Sequence, residues 1–109
     1  MIRHISLFRF LDAPANGRTK AENISEIQVY LEKIPAMLPT IVRSYVGPAL
    51  PGAPDLPDEA PVQFADLAQV IDFKTPEDAA AYPASQAHQD LAALSGPMMK
   101  KVIAIDFEI

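Results

Sequence analysis

Two spacings of apolar residues alternate along the chain. Residues 2–11 alternate in the strand period: Ile2, His4, Ser6, Phe8 and Phe10 share one face, and Arg3, Ile5, Leu7 and Arg9 share the other. Apolar side chains occur on both faces, so both are expected to be covered. Residues 12–19 contain Pro14, Asn16 and Gly17 and read as a loop. From Lys20 the spacing lengthens. Ala21, Ile24, Ile27, Leu31 and Ile34 recur at three and four residues, one stripe of a helix, with Glu22, Glu26, Glu32 and Lys33 largely off it. Pro35 and Pro39 bracket the expected helix end, because proline lacks the N–H a helix interior needs.

The second half repeats the pattern. Residues 41–46 read as a strand. Residues 47–61 hold Pro48, Pro51, Pro54, Pro57 and Pro61 among acidic residues and keep no amphipathic period, so they read as an extended surface loop. Residues 64–73 form a third predicted strand. Thr75-Pro76-Glu77-Asp78 announces a helix: a hydroxyl cap, proline at the first helical position, then acids in the first turn. That helix should stop at Tyr82, since Pro83 disfavours helical dihedrals in the residue before it. Pro83 should start another helix running to about Leu94, which Ser95-Gly96-Pro97 ends. Residues 98–109 close the chain as a fourth strand. The order βαββαβ predicts one α+β domain over residues 1–109, a two-layer sandwich of the ferredoxin-like type with the loop at 47–61 on its surface. The sheet face away from the helices would carry Ile5, Leu7, Ile103 and Ile105. Stacking two such faces makes a barrel-like homodimer.

Composition narrows the function. The chain has 109 residues, half of them hydrophobic, and no cysteine. Disulfides, thiol catalysis and thiolate metal sites are therefore excluded, and a cytoplasmic setting is compatible. The net charge is −5, with no basic cluster beyond Lys100-Lys101, so nucleic acid is not an expected partner. No apolar run approaches the roughly 20 residues of a membrane helix, and no signal-peptide pattern opens the chain.

The chemistry-bearing groups are few. The chain has two histidines, His4 and His88, and Tyr82 stands six residues before the second. The predicted fold brings first strand and last helix together, and so these three groups. Imidazole moves protons near neutral pH, and a phenol donates to a carbonyl or enolate oxygen. A cavity is expected between Ser6 and Phe8 on the strand, Leu91 on the last helix, and Ile24 and Ile27 on the first. The Tyr82 hydroxyl is expected within direct or one-water reach of His88. Two histidines without a third ligand do not make a metal site, and no metal is expected.

Several segments together resemble the stress-responsive dimeric α/β-barrel family. They are residues 2–10, Ile34-Pro35-Ala36-Met37, Ala65-Asp66-Leu67 with Phe73, Ala81-Tyr82 through His88, and Ile105-Asp106-Phe107. The resemblance implies the ferredoxin-like fold and the barrel homodimer. Similarity to the plant polyketide cyclase of that family implies cofactor-free aldol chemistry: His88 as general base, Tyr82 orienting base or substrate oxygen, His4 lining the pocket. The chain departs from the pattern at several positions. Ser85 stands where members often carry the first histidine of His-Pro-x-His. Asn23, Ile24 and Ile27 replace bulky aromatics on the first helix, and Leu91 and Met99 replace aromatics later on. Two kinds of function are therefore expected: a pocket holding a small apolar carbonyl ligand, or a cofactor-free cyclase or lyase on a β-dicarbonyl compound. A cofactor-free monooxygenase is the weaker third.

Overall fold

The alternation that opens the chain becomes β1 (Ile2–Phe10) in the structure, a computed structural model that describes residues 1–109. After it come α1 (Lys20–Met37), β2 (Ile41–Pro48), β3 (Leu67–Phe73), α2 (Pro76–Ala81), α3 (Gln86–Ser95) and β4 (Met99–Glu108). The strands form one antiparallel sheet in the order β2-β3-β1-β4. This is the expected ferredoxin-like α+β fold, with the three helices on one face.

The core lies between that face and the helices. Phe8 and Phe10 of β1 and Leu67, Ile71 and Phe73 of β3 meet Ile27, Leu31 and Ile34 of α1 and Leu91 of α3. The helices cover the central strands and leave β4 at the edge. From Lys100 onward every β4 residue is exposed. That open edge decides where the inner face can be reached from solvent.

Local chemistry sets the element ends. Thr19 and Glu22 cap α1 reciprocally: the Thr19 hydroxyl accepts from the Glu22 N–H at 3.1 Å, and the Glu22 carboxylate accepts from the Thr19 N–H at 2.9 Å. The helix ends between Pro35 and Pro39, as their spacing predicts. Its buried line, however, is Asn23, Ile27, Leu31 and Ile34. Ala21 is exposed and Ile24 half-buried, so the helix is rolled slightly from the expected stripe.

Three boundaries differ from expectation. The third strand starts at Leu67, not at residue 64, because Asp66 turns the chain: its N–H donates to the Phe8 carbonyl and its carboxylate accepts from the Phe10 N–H, both at 2.8 Å. Tyr82 does not leave helical geometry (φ −57°, ψ −47°) but opens a 3-10 turn, Tyr82–Ala84. The dihedral bias before proline yields here to burial of the Tyr82 ring. The break falls at Ser85 (ψ 151°), whose hydroxyl caps α3 by accepting from the His88 N–H at 3.2 Å. Ser85, not Pro83, therefore starts the last helix. The proline-rich loop is also tied down. Asp58 pairs with Lys100 at 2.5 Å and with Arg9 at 3.8 Å, and the Gln63 amide donates to the Pro57 and Ala60 carbonyls at 2.6 and 3.0 Å.

Candidate functional site

His4 sits on the inner face of β1. The sheet register places Ile71 across from it on β3 and Asp106 across from it on β4. Directly opposed residues on one face have Cβ atoms about 4.5–5.5 Å apart, close enough for side chains to bond. His4 Nδ1 lies 2.5 Å from Asp106 Oδ1, and His4 Nε2 lies 2.8 Å from Ser6 Oγ. Ser6 is the next residue on the same face of β1, and is buried.

Tyr82 reaches this group from the helix layer. The Thr75 cap (accepting from the Asp78 N–H at 3.1 Å) and Pro76 start α2, and the chain then carries the Tyr82 ring into the core. That ring contacts both imidazoles. Its centroid is 5.4 Å from that of His4 and 5.0 Å from that of His88, edge-on in both cases, and 5.6 Å from that of Phe73. The ring is 1% exposed. Its hydroxyl takes its hydrogen bond from the Gln69 amide at 3.3 Å, the partner the register places beside Ser6 on β3.

Electrostatics separate the two rings that flank the site on the helix side. Burial lowers the His88 pKa below the ordinary imidazole value; the nearby His4 adds to this, and the Pro83 carbonyl works the other way. Burial raises the Tyr82 pKa, the Gln69 hydrogen bond opposing it, so the phenol keeps its proton. At neutral pH the site thus offers a neutral imidazole, which can accept a proton, beside a protonated phenol.

His4, Tyr82 and His88 are brought together. The remaining residues expected around them divide. Phe8, Ile27 and Leu91 are core residues, and Met99 and Ile24 are half-buried against that core. The three main recesses are lined by none of His4, Tyr82 and His88. The first, of 390 Å³, lies at the loop end of the sheet, where Ile24 meets Arg9, Lys20, Leu50 and Phe64. Another, of 270 Å³, lies between α2 and the end of β4 and reaches Asp106. The inner face near His4 is approached instead over β4. No group of three or more His, Asp or Glu side chains gathers as metal ligands do. No helix is long and apolar enough to cross a membrane.

Two neighbours of the site escape sequence reasoning, Asp106 and Gln69. Each lies on an alternating strand, but only the register shows that one faces His4 and the other Tyr82. Asn23 also escapes it. It is fully buried on α1, and its Nδ2 has no hydrogen-bond partner although its Oδ1 accepts from Asn16 at 3.1 Å.

An antiparallel ferredoxin-like sheet with one exposed apolar face and a histidine–tyrosine group under its helices defines a small two-layer α+β domain. The chain belongs to the family described as the Stress responsive A/B Barrel Domain, which it matches over residues 2–109. No curated protein matches it. Solved structures do. A dimeric protein of unknown function and ferredoxin-like fold from Bacteroides fragilis is 19% identical, with a TM-score of 0.75 over 99% of this chain and 95% of that one. A dimeric ferredoxin-like protein of unknown function from Thermobifida fusca is 26% identical, with a TM-score of 0.73 over 99% and 90%. The hydroxynitrile lyase of Passiflora edulis is 17% identical, with a TM-score of 0.71 over 99% and 92%.

Proposed function

We propose that residues 1–109 act as one domain in a homodimer, and that each copy carries a cofactor-free proton-transfer site for a small apolar carbonyl compound. His88 is the base, Tyr82 positions it, and His4 lines the approach. The observation that carries this reading is the edge-on packing of one protonated phenol against two imidazoles, with burial lowering the pKa of the His88 ring. An acidic carbon between two carbonyls, or the hydroxyl of a cyanohydrin, loses its proton to such a base, which suits cyclase or lyase chemistry. The similar Passiflora protein is named as a hydroxynitrile lyase, which agrees with base chemistry on this fold.

The outer sheet face supports the dimer. Tyr45, Val70, Ile5 and Ile105 form one row across the strands, and Gly47, Ala68, Leu7 and Ile103 the next. Ile105 is 58% exposed, and covering such rows gains roughly 25 cal/mol per Å². The similar structures from Bacteroides and Thermobifida are described as dimeric.

A β-diketone and mandelonitrile serve as test substrates. The native protein should accelerate deprotonation of the first or cleavage of the second. His88→Ala should abolish this with the fold intact, and Tyr82→Phe should slow it. Turnover unchanged in His88→Ala would refute the reading. A second reading, binding without turnover, is favoured by the Tyr82 hydroxyl, whose hydrogen bond is with Gln69 and not with His88. It predicts that the same compounds shift the imidazole resonances while nothing is converted.

A further inference from the structure

The hydrogen bonds that tie His4 to Ser6 and Asp106 have no part in that chemistry. The Asp106 carboxylate can only accept, so the 2.5 Å contact puts a proton on His4 Nδ1. In the neutral ring Nε2 is then the acceptor, and the Ser6 hydroxyl 2.8 Å away donates to it. Hydroxyl, imidazole and carboxylate thus stand in the order nucleophile, base, orienting group, a constellation recognised by geometry rather than by position in sequence. The sheet builds it. His4 and Ser6 are two apart on one strand and share a face, and Asp106 is the cross-strand partner of His4.

Ser6 is 5% exposed, and β4 is the side from which an acyl substrate would reach it. Its partner on β4 is Ala104, a single exposed methyl, and no helix covers that strand. Val102, 47% exposed, continues an apolar strip beside it. Its partner on β3 is Gln69, whose amide donates one N–H to Tyr82 and carries a second that a developing oxyanion would use.

We propose that Ser6, His4 and Asp106 form an acyl-transfer triad that cleaves small esters or thioesters with apolar acyl groups. Ser6 Oγ attacks the carbonyl carbon as its proton passes to His4 Nε2. The tetrahedral intermediate collapses, the bond to the alcohol or thiol breaks, and the leaving group takes that proton. Water, deprotonated by His4, then releases the carboxylic acid and restores Ser6. Asp106 is a positioning residue that holds the ring in one tautomer. The inference does not rest on the role proposed for His88.

The test treats the native protein with p-nitrophenyl acetate, following p-nitrophenolate release and mapping the acetylated peptide by mass spectrometry. The expected result is a burst of release with the acetyl group on Ser6. Ser6→Ala should lose both, and Asp106→Asn should slow acylation by about 10²–10⁴ and change the shape of the pH–rate profile. No adduct, an adduct on another residue, or native-rate hydrolysis by Ser6→Ala would overturn the proposal. Mapping the native protein keeps the result independent of whether a variant folds. Loss of the β-diketone and mandelonitrile chemistry with Ser6 labelling intact would overturn the His88 reading alone, and the reverse would overturn the triad alone.

Discussion

Changing Tyr82 tests fold and site together. Its ring touches His4, His88 and Phe73 at centroid distances of 5.4, 5.0 and 5.6 Å, and is 1% exposed. Tyr82→Phe keeps those contacts and removes the hydroxyl that Gln69 donates to at 3.3 Å. That bond is long, so the cost should fall near the lower end of the about 1–3 kcal/mol for stranding a buried donor. About 1 kcal/mol lowers the melting temperature of a domain this size by about 4–8 °C. Tyr82→Ala leaves a ring-sized void and should cost about 3–5 kcal/mol, a large share of the about 5–15 kcal/mol that folded domains have. The second readout is His88. With two histidines in the chain, an NMR titration follows two imidazoles. In the native protein His88 should titrate below 6.5, its ordinary value. Tyr82→Phe should preserve this, because burial is unchanged. Tyr82→Ala should move it back toward 6.5 as water enters. A lowered pKa in the folded state means that the unfolded chain binds more protons between the two values. The stability tied to His88 is then fully present above about 6.5 and is lost as pH falls through the lowered value. Native His88 titrating at or above 6.5, or unmoved by Tyr82→Ala, would refute burial as the cause.

Other expectations follow from single contacts. Ile105→Asp should yield a folded monomer by light scattering, because an unpaired charge in the outer row is costly to bury. Deleting residues 50–57 should leave melting temperature and dimer nearly unchanged, since the Asp58 pairs with Lys100 and Arg9 are kept and the removed residues are almost all exposed. Asp66→Ala should cost about 1–3 kcal/mol in denaturant titration, as the Phe10 N–H loses its acceptor. Asp72 pairs with both oxygens of its carboxylate to Arg3, and that hydrogen bonding, against the opposing burial, holds its pKa low. Its contribution should be present above the ordinary carboxylate value and vanish as pH falls through the lowered one, so Asp72→Asn should flatten the acid limb of the stability profile.

The elements were legible because their causes are local. Alternation in residues 2–11, the cap and proline at Thr75-Pro76, and the prolines around the end of α1 each act within a turn or a pleat. Boundaries depart from the local pattern where a distant contact wins. Tyr82 stays helical because its ring is buried in the core, and the third strand waits for Asp66 to bind the β1 backbone. By itself the sequence determined the order βαββαβ, the two faces of β1, and the three side chains able to move protons. Only the tertiary structure decided what those side chains touch. Asp106 lies 102 residues from His4, and no local pattern links them. Antiparallel register makes them neighbours, because hydrogen bonding between strands pairs residues by position in the sheet, whatever their separation in the chain. The same holds for Gln69 and Tyr82. It also explains why Phe8, Ile27 and Leu91 pack as core: whether apolar side chains leave a cavity or fill it depends on how two layers interlock, which periodicity does not encode.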